Sequence, residues 1–145
     1  MRYKQTDEAF PELINKYGCL FFSLIDIAEE FSGKSFTMRS IMQLYTELAE
    51  LEIMKKDCYV LNHTKVLQQA LENFSVHDKV TYAGAWYNEN ITDRRSWGDR
   101  NGMFMILQFR TRNGNGHFRR PHYDPYYPLI HFKNLISIRY YDIGI

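Results

Sequence analysis

A chain of 145 residues that is 45% hydrophobic and 16% aromatic has the material for one self-sufficient core, which excludes a disordered tract. A net charge of +1 conceals an uneven split: residues 1–83 hold 9 Lys/Arg against 12 Asp/Glu, and residues 84–145 hold 9 against 5. No apolar run reaches the roughly 18 residues that a membrane crossing needs, so residues 1–145 are expected to form a single domain with no membrane partner.

The opening, Met1 to Glu8, is polar and has no apolar stretch behind a basic one, so no secretory signal is expected. Two cysteines distant in sequence, Cys19 and Cys58, staple little and fit a reducing compartment. The expected location is cytoplasmic.

From Gly18 to Glu30, Leu20, Leu24, Ile27, Ala28 and Phe31 recur at steps of three and four, which predicts a helix closed by Gly33. Asp26, Glu29 and Glu30 are expected on its wet side. Thr37 then caps a second helix with the stripe Ile41, Leu44, Tyr45, Leu48 and Leu51,. A third follows Asn62 or Thr64, burying Val66, Leu67, Ala70, Leu71 and Phe74. Between them lies an irregular connection, with Cys58 to Leu61 as a candidate short strand.

After that the period changes. Val80 to Tyr87, Met103 to Phe109 and Leu135 to Tyr141 are β-branched or aromatic runs of strand length,. Turn-forming clusters separate them at Asn88 to Gly102 and Asn113 to Gly116,. Helices first and strands second predict an α+β fold, with N-terminal helices packed on a C-terminal antiparallel sheet. The 88–102 segment is expected to be a long surface loop.

Three residues carry candidate chemistry. Cys19 opens the first helix, where the helix dipole and unbonded N–H groups favour a thiolate, and Gly18 leaves room for a substrate backbone beside it. His117 follows a glycine-rich turn at a strand edge, as a base would, and Asp124 is the nearest carboxylate to orient it. His122 is the rival base. Cys58 lacks a glycine or a helix start and is expected to be packing. Metal binding by His117, His122 and Asp124 is disfavoured, because no further ligand stands at zinc-like spacing; no cofactor is expected.

Gly18-Cys19 opening an apolar helix, a late Gly116-x-His117-Phe118, then Tyr123-Asp124-Pro125-Tyr126 and a closing strand through Ser137-Ile138-Arg139-Tyr140 resemble the papain-like cysteine-peptidase superfamily. More narrowly, the chain resembles a small family of unknown function first noted in Borrelia plasmids, found in phages and prophages and grouped with peptidases that cleave double-glycine leaders. The resemblance implies a papain-like fold with Cys19 as nucleophile, His117 as general base and Asp124 as orienting carboxylate. It departs from the superfamily where a glutamine helps to hold the oxyanion. Asn15, four residues before the cysteine, is the candidate donor here.

The expected activity is cleavage of an amide, isopeptide or thioester bond in a peptide or protein substrate. Trp86, Trp97, Tyr123 and Tyr126 are the candidate substrate-binding residues. The alternative is an inactive papain-like scaffold that grips a host protein. A winged-helix nucleic-acid binder is disfavoured, because the third helix has Lys65 as its lone basic residue beside an opposing Glu72,.

Overall fold

The computed structural model describes residues 3, 5–87, 103–110, 116–120 and 135–144, with only the backbone at Trp86, Tyr87 and Leu135. Four helices come first: α1 Glu12–Tyr17, α2 Cys19–Ser32, α3 Met38–Glu50 and α4 His63–Glu72. The strands β1 Val80–Tyr87, β2 Met103–Arg110, β3 Gly116–Arg119 and β4 Leu135–Ile143 follow. They form one antiparallel sheet in the order β1-β4-β2-β3. The fold is therefore α+β, and no helix among the described residues is long and apolar enough to cross a membrane.

The helix ends follow local chemistry. Gly33 closes α2 with φ of 72°, a left-handed conformation that costs glycine no Cβ clash. Thr37 caps α3 by accepting from the Ser40 N–H, while the Ser40 side chain accepts from the Thr37 N–H in return,. Asn62 caps α4 by accepting from the Lys65 N–H. Lys34, just past α2, donates to the Phe74 carbonyl just past α4 at 3.3 Å. These two helices pack along each other and finish side by side, so they run parallel and their N-termini, Cys19 and His63, open at the same end.

The helices cover one face of the sheet. Phe104 and Ile106 of β2, Tyr141 and Ile143 of β4 and Val80 of β1 join Phe21, Leu24, Ile25, Ala28, Leu44, Leu67 and Ala70 in one buried core. The alternate residues Met105, Leu107 and Phe109, with Ile138, form a second buried cluster on the other face, as the period of two requires.

Several expectations change here. Asp26 and Glu29 are not on a wet side; they are 5% and 8% exposed, while Glu30 is exposed. Asp26 pairs with Arg120 at 3.1 Å, and Glu29 accepts from the Phe36 N–H at 2.7 Å, which fixes the chain as it leaves α2. Leu51 is 52% exposed because α3 ends one residue before it. The Cys58 to Leu61 segment forms no strand and makes a single bridge, Met54 to Val60; Cys58, at φ 67°, is 2% exposed and packs in the core. The 88–102 segment lies outside the described residues.

Candidate active site

Cys19 owes its position to Gly18. Its backbone N–H still bonds the Ile14 carbonyl at 2.9 Å, so α1 runs almost directly into α2. A Cβ at Gly18 would stand 2.6 Å from that carbonyl oxygen. The close approach that demands glycine is therefore to the chain's own backbone, and Gly18 is buried rather than opened to a substrate.

The thiol is then met by the sheet. The Phe118 N–H points to the side of β3 away from β2 and donates to Cys19 Sγ at 3.5 Å. The N–H groups of Cys19 and Leu20 face the same sulfur from the helix start. All three favour the thiolate, but burial outweighs them and pushes the thiol above its usual value,. The helix start does not acidify this cysteine at rest. Cys58 is an electrostatic neighbour, and burial pushes its thiol further, up to about 12.

His117 is one residue from that contact. Two bonds of standard length separate Phe118 N from His117 Cα, about 2.4 Å, so the 3.5 Å contact sets this Cα within about 6 Å of Sγ,. Register pairs His117 with Phe109 and Phe118 with Gln108; Phe109 belongs to the far cluster and Phe118 packs on the helical core. The His117 side chain therefore leaves β3 on the face away from α2, so it reaches the sulfur only by turning over the edge of the strand. Burial, reinforced by the Arg119 charge, lowers its pKa and keeps the imidazole neutral near pH 7.

Asn15 is committed elsewhere. Its side-chain amide donates to the carbonyls of Gln5 at 2.7 Å and Asp7 at 3.0 Å, while the Gln5 amide donates back to Ile14 and Asn15. This clasp ties the N-terminal segment to α1 and uses both Asn15 amide hydrogens. As an oxyanion donor Asn15 is corrected to a structural residue. Asp124, Trp97, Tyr123, Tyr126 and His122 lie outside the described residues, and of Trp86 only the backbone is described, on β1 opposite Ile138.

What sequence reasoning missed is the arginine after β3. Arg120 is 1% exposed; its guanidinium donates to Asp26 at 3.1 Å, to Glu30 at 2.5 Å and to the Met105 carbonyl at 2.5 Å. Arg120 thus ties the end of β3 to β2 and to α2, which fixes the strand beside Cys19. The legible signal was α2 itself. A helix apolar all round is buried all round, so its acids required partners.

Among the described residues no three His, Cys, Asp or Glu side chains gather to hold a metal ion. Helix α4 packs its apolar face against α2 and β1, leaving Lys65 and Glu72 outward.

The model of the family described as "Protein of unknown function, DUF261" matches residues 1–111. The match includes Cys19 and ends before β3. No curated protein and no solved structure matches the chain. The chain belongs to the DUF261 family.

Proposed function

We propose that this DUF261 protein is a papain-like cysteine hydrolase in which Cys19 attacks an amide, isopeptide or thioester carbonyl and His117 moves the proton. The observation that supports it is the Phe118 N–H to Sγ contact of 3.5 Å, which brings the strand carrying the imidazole to the helix start carrying the thiol.

With the thiol raised and the imidazole lowered, the resting pair is uncharged. Attack is then general-base assisted: the proton passes from Sγ to the His117 imidazole as the S–C bond forms. The N–H groups that face the sulfur, those of Phe118, Leu20 and Cys19, are the proposed donors for the developing oxyanion,. The imidazolium returns its proton to the leaving group, and the same imidazole then activates water to hydrolyse the thioester. Asp124 is the proposed orienting carboxylate, and Trp86, Trp97, Tyr123 and Tyr126 the proposed substrate contacts. The substrate is a peptide or protein, and this chemistry calls for no cofactor.

Limiting iodoacetamide with mass-spectrometric mapping near neutral pH tests the reading. Cys19 is expected to react well ahead of Cys58 and to slow in His117→Ala; equal rates at the two thiols, or indifference to His117, sinks it. The raised Cys19 thiol and the committed Asn15 amide favour a second reading, an inactive scaffold that grips a host protein. Full biological effect of a Cys19→Ala variant supports that one.

A further inference from the structure

On the helix-covered face of the sheet, His63, Tyr82, Tyr141 and Arg139 gather at the end where α2 and α4 open. The His63 ring is 4.6 Å from Tyr82 and 5.5 Å from Tyr141, and the two tyrosine rings are 5.4 Å apart. Arg139, two residues before Tyr141 on the same face of β4, stacks its guanidinium 4.7 Å from the Phe118 ring. Phe118 is the residue whose N–H reaches Cys19. The cluster and the thiol are thus neighbours across one aromatic ring.

Three buried polar atoms of this cluster have no hydrogen-bond partner: His63 Nδ1, Arg139 Nε and Tyr141 Oη. Tyr141 is 0% exposed, so its hydroxyl is removed from water without a hydrogen bond of sound geometry,. The Arg139 charge bears on both rings, favouring neutral His63 and ionised Tyr141, yet no well-formed hydrogen bond joins Arg139 to Tyr141. No carboxylate among the described residues forms an ion pair with Arg139. His63, Tyr82 and Arg139 are each half-buried, so the cluster borders the surface, with its three unpartnered atoms just beneath it.

We infer that His63, Arg139 and Tyr141 form a carboxylate-binding subsite beside Cys19, with the Arg139 guanidinium and the Tyr141 hydroxyl as its donors. A planar carboxylate matches the guanidinium fork, and the Tyr141 O–H supplies a third, neutral donor. His63 stands at the first position of α4, where the helix dipole also favours a negative group,. That the carboxylate belongs to a substrate rests on the hydrolase reading; the binding itself does not. The carboxylate is either a peptide C-terminus or an acidic side chain.

The test uses the full chain as Cys19→Ala, so that binding is measured without turnover. Three probes are titrated: acetyl-trialanine with a free C-terminus, its C-terminal amide, and acetyl-Ala-Asp-Ala amide. Arginine Nε–H and histidine ring signals are followed by NMR. At least one carboxylate probe is expected to shift the Arg139 and His63 signals at millimolar concentration, and which one names the source. The uncharged amide is expected to shift neither. Arg139→Met is expected to weaken binding about tenfold or more, and Tyr141→Phe, which keeps the ring packing, several-fold. Equal shifts from the amide, no shift from either carboxylate, or unchanged affinity in Tyr141→Phe overturns the subsite. Carboxylate binding by this variant, together with no preferential alkylation of Cys19 in the parent protein, overturns the hydrolase reading alone.

Discussion

Arg120 Nε lies 3.1 Å from Asp26 Oδ2, with the two side chains 1% and 7% exposed. This pair links the end of β3 to the middle of α2, and so sets where β3 lies against the helix start that carries Cys19. Arg120→Met strips a buried carboxylate of a cationic partner, and urea unfolding is expected to show a loss of about 3 to 5 kcal/mol. Adding Asp26→Leu is expected to restore a large part of it, because the double variant buries no unpaired charge. A single variant as stable as the parent contradicts this role.

Gly18→Ala tests the junction between α1 and α2. The new Cβ meets the Ile14 carbonyl oxygen at 2.6 Å, and since φ is −82° the penalty is steric and not conformational. Destabilisation of about 1 to 3 kcal/mol is expected. A changed alkylation rate at Cys19 should accompany it, because relief of the clash displaces the start of α2. Unaltered stability and reactivity would show that the junction yields without cost.

Thr37→Ala serves as a remote control. It removes the acceptor for the Ser40 N–H at 3.1 Å and is expected to cost about 1 kcal/mol. Cys19 alkylation should not change. A reactivity change of the size seen for His117→Ala would mean that global loosening, not the site, governs the thiol.

The pH dependence of stability follows from two histidines. Burial, with Arg139 at one and Arg119 at the other, holds both His63 and His117 below the ordinary 6.5. Between that value and the lower folded values the unfolded chain binds more protons than the folded one, so stability rises with pH through this window. The contribution is complete above 6.5 and is lost as pH falls through the folded values. The urea midpoint is therefore expected to drop as the pH falls below 6.5,, and His63→Gln to flatten the drop. A parent protein with a flat profile contradicts it.

Periodic segments were legible because their signal is local. The three-and-four spacing gave α2, α3 and α4 with their caps at Thr37 and Asn62, and β-branched runs gave β1, β2 and β4. Helix α1 was not legible. Six residues without a side-chain cap make a marginal helix alone, and this one is held by burial of Ile14 and by the Gln5–Asn15 clasp. Arg120 carried no local signal for a related reason: its partners Asp26 and Glu30 stand more than eighty positions away. Cys19 and His117 were legible as residue types in suggestive settings. That burial raises the thiol, and that His117 leaves β3 away from α2, depends on packing and register that no local pattern carries.

The association of Cys19 with His117 is tested most directly by acyl transfer from p-nitrophenyl acetate, followed by intact and peptide-mapped mass spectrometry. Attack forms the acetyl thioester at Sγ and releases p-nitrophenolate. One acetyl group on Cys19 is expected, forming about a hundredfold more slowly in His117→Ala, the loss typical of a missing general base, and unimpaired in Thr37→Ala. Acetylation that maps to Cys58, or that proceeds on Cys19 at the same rate without His117, contradicts the shared site.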